Sequence, residues 1–236
     1  MGGHMEGRAI SEAVVTELTD IPPQSTPEFM RSAILALHAT VQSRFSSNSE
    51  NSPGSTLIVA DINRTTGKGI LLHIGDSRGF LFRKNKWHVL TYDHIYSEFA
   101  LRDGELSRNE YKTVKNTTTH RIAQALGYGS TGIIREKDGY KPLKFSPNIR
   151  LDLGNELPES FSDHADVFPF HLSCGNTLLL ATDGLWSAEP EDMWYGLSAR
   201  ELSTQNGLEQ LVQKAMEHGA NDNITLVACG VFISKE

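Results

Sequence analysis

Apolar positions recur along this chain at two different periods, and each change of period marks a change of element. Ile10, Val14, Leu18 and Ile21 fall at three- and four-residue steps, which predicts an amphipathic helix over residues 5–20, closed by Pro22 and Pro23. Thr26, Pro27 and Glu28 then supply a cap, a first-turn proline and an early acid. They predict a second helix with Phe29, Ala33, Ile34, Leu37 and Val41 as its apolar stripe. The following stretch, SSNSENSPGS (46–55), has no periodicity and reads as a polar loop.

From Thr56 the period shortens. The runs TLIVADI, GILLHIG, GFLFRK and KWHVLTY, separated by the turn-like strings TTGKG, DSR and KN, predict an antiparallel meander. Helical spacing returns over 94–126, where Ser107 with Glu110 three residues on has the form of a capping box. Residues 128–163 are rich in Gly, Pro, Asn, Asp and Ser and predict a long irregular insertion. Beyond it come a strand (TLLLAT, 177–182) and a helix after Pro190. A further helix carries Leu208, Leu211, Val212, Ala215 and Met216 and stops at Gly219, and the chain closes on a strand, ITLVACGVFI. There is no internal repeat. The order of elements predicts α/β (α+β) architecture, two antiparallel sheets covered by helices rather than alternating βαβ units.

Composition narrows this picture. A chain of 236 residues, 39% hydrophobic and 22% charged, can bury a full core, and its length suits a single domain over 1–236. No apolar run reaches the ~18 residues of a membrane span, and the first residues lack the basic-then-apolar order of a secretory signal, so the expected location is the cytoplasm. A net charge of −7 argues against a general nucleic-acid binder. Cys174 and Cys229 lie in apolar stretches and are expected to be buried, reduced thiols rather than a disulfide or metal ligands.

The candidate chemistry lies in three aspartates. Asp76 follows the apolar run ILLHIG, Asp183 ends TLLLAT with a glycine after it, and Asp222 sits in a turn just before the last strand. Each carboxylate is at the edge of a hydrophobic strand, where an unpaired charge is costly and a hard cation such as Mg²⁺ or Mn²⁺ would offset the cost. Each also has a plainer reading as a turn or cap residue, Asp222 as an Asx-turn before Asn223.

Taken together and in order, the strings GDSR, TDG and DNIT resemble the metal-dependent protein phosphatases, the type 2C (PPM) serine/threonine phosphatase family in its bacterial form. MGGHMEGRAISEAV, PGSTLIVADI, VLTYDH, LRDGELSRNE, RIAQALG and HGANDNITLVAC extend the likeness nearly end to end. The resemblance implies a four-layer αββα sandwich with the metals at one end. It places Asp183 and Asp222 at the dinuclear centre as the catalytic ligands, and adds Asp76 beside Asp183 at a third site, for two to three Mn²⁺ or Mg²⁺ ions. A metal-activated water would attack phosphorus directly, with no phospho-enzyme. The implied partner is a phosphorylated protein, the substrate of a cytosolic serine/threonine kinase, in a signalling role without nucleic acid or membrane. Residues 95–126 would match the family's flap, and 128–163 would be the place for substrate choice or a partner contact.

Other residues read as structural: Arg78 as a partner for a carboxylate or carbonyl, and His73 and His94 as satisfied core histidines. His4 would approach the metals, although GGHM also has the form of a cloning remnant. Ser187, four after the TDG aspartate, stands where some relatives carry an acid, which predicts a weaker third site. In the family the acid and glycine just before MGGH bridge the central metals, and an earlier segment supplies edge strands, another acid and a phosphate-binding arginine. The sequence given begins inside that motif, at Met1. Two expectations follow: a longer active enzyme recorded from an internal methionine, or a non-catalytic phosphoprotein-binding or regulatory module. Retention of all three aspartates favours the first.

Overall fold

The computed structural model describes residues 7–23, 26–45, 54–95, 97–98, 106–115, 122, 125–127, 133–136, 139–142, 144–146, 150–152, 167–186 and 196–232. By backbone contacts the chain falls into two units. The first comprises Met1–Asp61, Ile70–Gly75 and Asp93–Pro169, and the second Ile62–Gly69, Asp76–Tyr92 and Phe170–Glu236.

In the first unit, helix α1 (Gly7–Thr19) buries Ile10 and Val14, and α2 (Pro27–Phe45) buries Met30, Ile34, Leu37 and Val41. Thr26 caps α2 by accepting the Phe29 N–H at 3.2 Å. Ile34, Leu37 and Val41 are buried as expected, but the stripe begins at Met30 rather than at Phe29, which is 46% exposed. Positions 30, 34, 37 and 41 form a better i, i+4, i+7 series than one begun at Phe29. These helices pack with Leu57, Leu72, Ile74, Leu126 and Val167 into one apolar cluster. Each fully buried aliphatic side chain there contributes about 1.5–3 kcal/mol. Strands β1 (Leu57–Ile62), β2 (Lys68–Ile74) and β9 (Val167–His171) form a three-stranded sheet in the order β1-β2-β9.

Buried in the same unit, the His38 Nδ1 accepts the Gly127 N–H at 3.2 Å, while its Nε2 has no hydrogen-bond partner among the described residues. Burial lowers its pKa from 6.5 to about 4. The unfolded chain therefore takes up this proton first as pH falls, so the contribution is intact above pH 6.5 and is lost progressively toward pH 4. Urea midpoints measured across that window should fall more steeply for the wild type than for His38→Gln; parallel curves would exclude His38 as the titrating group.

The second unit holds the sheet β11-β10-β3-β4. Its strands are β3 (Arg78–Arg83), β4 (Lys86–Val89), β10 (Thr177–Ala181) and β11 (Leu226–Gly230), and all neighbours are antiparallel. Lys84 and Asn85 both have positive φ, 50° and 58°, as a two-residue type I′ hairpin turn requires. One face of the sheet packs Phe80, Leu179 and Ala181 with Leu185, Leu197, Leu202, Leu211 and Ala215. The last three come from α4 (Ala199–Leu202) and α5 (Gln205–Glu217). Ser198 and Glu201 form a capping box on α4. Met216, expected on the apolar stripe of α5, is 59% exposed.

The four runs expected as one meander are thus two hairpins assigned to two different sheets. The break is at Gly75, whose φ is +104° and whose missing Cβ would lie 2.7 Å from the Cβ of Thr56. A side chain there is excluded, and the extended chain turns. Of the region expected to be helical, 94–126, the described helix is α3 (Arg108–Lys115), and Ser107 and Glu110 do form its capping box. Within 128–163, expected to be irregular, four short strands form two hairpins. They pair β5 (Ile133–Glu136) with β6 (Gly139–Pro142), and β7 (Lys144–Ser146) with β8 (Arg150–Asp152). The helix expected directly after Pro190 lies outside the described residues until Gly196. Both cysteines are free, as expected, but exposed rather than buried. Cys174 lies in the turn leading into β10, and Cys229 shares the exposed face of the terminal strand β11 with Val227. Among the described residues no helix is long and apolar enough to cross a membrane.

Candidate metal centre

Asp76, Asp183 and Asp222 all belong to the second unit. The strand register defines where their backbones lie. Ala181, the last residue of β10, stands opposite Arg78, the first residue of β3, and opposite Leu226, the first residue of β11. Asp76 precedes Arg78 by two residues, Asp183 follows Ala181 by two, and Asp222 precedes Leu226 by four. All three leave the sheet at the same end.

Two of the three turns are locked together through backbone. Thr182 N–H donates to the Thr225 carbonyl at 3.1 Å. The Thr182 hydroxyl donates to the Asn223 carbonyl at 3.1 Å and accepts the Thr225 N–H at 2.9 Å. Gly184 completes the seat. A Cβ there would collide with the Asn223 carbonyl oxygen and lie 2.9 Å from its carbon and 3.2 Å from the Asp222 oxygen. The glycine of TDG is therefore a packing requirement of the DNIT loop. Its role was not visible in the sequence, which shows only a glycine beside an acid. Thr182→Val keeps the shape and removes both hydroxyl bonds, leaving the Thr225 N–H without its acceptor. It should cost about 0.5–1.5 kcal/mol, read as a lower unfolding midpoint; an unchanged midpoint would mean that the hydroxyl does not brace the two turns.

Asp183 opens a one-turn 3₁₀ helix, Asp183–Leu185, and its carbonyl accepts the Trp186 N–H at 3.0 Å. The indole of Trp186 lies under the Arg78 guanidinium, 4.5 Å from carbon to ring centroid, and meets Phe80 edge-on at 5.9 Å. Phe80 also meets Trp87 at 6.1 Å, and Trp87 meets Phe82 at 5.0 Å. The partner expected for Arg78 was polar. The structure gives it an aromatic one as well, which no spacing in the sequence signals.

Asp76 and Asp183 are half-buried and Asp222 is exposed. The Asp222 Oδ1 accepts the Asn223 N–H at 2.7 Å, so the plainer turn-residue reading describes part of its geometry. Three hard oxygen donors on turns that leave one end of the sheet suit Mg²⁺ or Mn²⁺ in donor chemistry. Their backbone placement at one sheet end suits it too. Among the described residues no group of three or more His, Cys, Asp or Glu side chains is gathered closely enough to hold a metal. His4 and Ser187 lie outside the described residues. In the first unit, the His94 Nδ1 accepts the Gly75 N–H at 3.1 Å and its ring meets His73 at 4.6 Å, tilted by 54°. That hydrogen bond agrees with a structural role for His94.

No family model matches the chain. The serine/threonine phosphatase stp of Listeria welshimeri is 25% identical over 236 residues, spanning 96% of this chain and 80% of the relative. The protein phosphatase PhpP of Streptococcus pneumoniae is 27% identical over 235 residues with the same two shares. The catalytic domain of the serine/threonine protein phosphatase PstP, solved in complex with two manganese ions, superposes with a TM-score of 0.65 at 20% identity, covering 99% of this chain and 85% of that one. The chain is similar to bacterial serine/threonine phosphatases over nearly its whole length. Its two antiparallel sheets and their helices are those of the PPM phosphatase fold. The chain carries GDSR, TDG and DNIT on three turns at one end of a single sheet.

Proposed function

We propose that this chain is a metal-dependent phosphatase that hydrolyses phosphoserine and phosphothreonine on proteins, with Asp183 and Asp222 as the ligands of its central metals. The carrying observation is the seating of Gly184 on the Asn223 carbonyl, which sets the Asp183 and Asp222 turns against each other at the end of the sheet. Asp183 and Asp222 would hold the central ions, and Asp183 with Asp76 a further one. When bound, Mn²⁺ or Mg²⁺ supplies Lewis acidity and a nucleophilic water at neutral pH. The chain's own part is to present anionic oxygens from braced turns. Thr182 fixes the spacing of two of them, and the 3₁₀ turn sets the direction of Asp183.

The cytoplasm as location, a serine/threonine kinase as source of the ester, a single phosphatase-like domain over 1–236, a flap in 95–126 and substrate choice in 128–163 belong to the same proposal. The test is turnover of p-nitrophenyl phosphate and of a phosphothreonine peptide, with Mn²⁺ and with excess chelator. Manganese-dependent release of phosphate from both is expected. A folded chain that binds the peptide and releases none would instead be a non-catalytic phosphoprotein-binding module.

A further inference from the structure

We propose that Arg78 is a positioning residue for the metal-holding carboxylates: through the Trp186 indole it fixes the turn carrying Asp183 relative to the strand start carrying Asp76. The inference rests on the metal-dependent reading above. The hydrogen-bonded ladder between β10 and β3 ends at the pair Ala181 and Arg78. Beyond that pair the chain continues on one side to Asp183 and on the other back to Asp76, and the ladder no longer sets their spacing.

Asp183 stands on a single 3₁₀ turn, closed by the Leu185 N–H on the Thr182 carbonyl at 3.2 Å and the Trp186 N–H on the Asp183 carbonyl at 3.0 Å. An isolated turn of this kind has poor hydrogen-bond geometry and is soft. The side chain of its C-cap residue, Trp186, stiffens it. Arg78 and Phe80 are alternate residues of β3 and share one face of the sheet. Their side chains meet the same indole, the guanidinium at 4.5 Å and the phenyl ring at 5.9 Å. One strand thus grips the ring from two positions. The backbone N–H of Trp186 holds the Asp183 carbonyl, so holding the indole in place restrains the main chain of the turn that carries Asp183. A guanidinium suits the task better than an ammonium, because it is planar, weakly hydrated and stacks on a ring. Trp186 also packs against the core of Leu179, Leu185, Leu202 and Leu211, so the test reads metal affinity apart from stability.

The test compares wild type, Arg78→Met, Arg78→Lys, Trp186→Leu and the Arg78→Met/Trp186→Leu double variant by Mn²⁺ calorimetry without substrate, alongside thermal unfolding. Arg78→Met and Trp186→Leu are each expected to weaken Mn²⁺ binding about three- to tenfold. The double variant should be no weaker than the poorer single one, and Arg78→Lys should recover part of the loss. A residue that serves stability alone would lower the unfolding midpoint and leave the Mn²⁺ affinity of the folded protein unchanged. That result, or fully additive losses in the double variant, overturns the proposal while the phosphatase reading stands. A folded wild type that binds no Mn²⁺ overturns the reading, and the proposal with it. Should Arg78→Met fail to fold, Arg78→Lys and Trp186→Leu carry the comparison.

Discussion

Replacing Asp183 with asparagine should lower kcat/KM for a phosphothreonine peptide by more than about a hundredfold at saturating Mn²⁺, since even changes to the partners of metal ligands cost about 10–100-fold. The substitution is nearly isosteric. It removes a charge that faces the proposed metals, and the Asp183 backbone still accepts the Trp186 N–H. The unfolding midpoint should therefore stay close to that of the wild type while Mn²⁺ binding and turnover collapse together. Turnover at the wild-type rate in a folded Asp183→Asn protein would move the chemistry away from this turn. The same comparison at Asp76 should give a smaller loss, because the resemblance assigns Asp76 only to the third site.

Gly184→Ala should injure fold and site at once. The added methyl meets the Asn223 carbonyl oxygen and lies 2.9 Å from its carbon, and both are main-chain atoms that no rotamer change can move aside. Relief requires the DNIT loop to retreat, which strains the bonds Thr182 makes to Asn223 and Thr225. The expected loss is about 2–3 kcal/mol of stability. Mn²⁺ affinity should also drop at least about tenfold, as for other changes to the supports of metal ligands. Thermal unfolding with and without Mn²⁺ separates the two effects: the metal should raise the wild-type midpoint more than that of Gly184→Ala. Equal gains would mean that the contact serves folding alone.

The elements were legible in the sequence where a single period ran long enough. Ile10 and Val14 on α1, Ile34, Leu37 and Val41 on α2, and the apolar run of β10 are buried as their spacing predicts. What alternation cannot report is the partner of a strand, so the hairpins on either side of Gly75 were read as one meander. The kink depends on a contact with Thr56, 19 residues away, and leaves no local periodic trace. Cys174 and Cys229 were misplaced for a related reason. Apolar neighbours show that a strand has a buried face, but a cysteine can alternate onto the other one, as Cys229 does beside Val227. At the site, the three aspartates could be named from their strings. Gly184, Thr182 and Trp186 could not, because each acts through a long-range contact with a segment that only the fold brings near.

The division of labour between strands and turns bears on how freely such a sequence can change over time. β10 and β3 contribute a backbone ladder and generic apolar bulk, both of which many side chains satisfy. The turns at 182–184 and 222–225 meet main chain to main chain, where a single methyl is too much. Substitutions should accumulate in the strands and be purged from the turns. A chain built this way tolerates the drift to about a quarter identity that separates it from the Listeria and Streptococcus phosphatases over nearly its whole length.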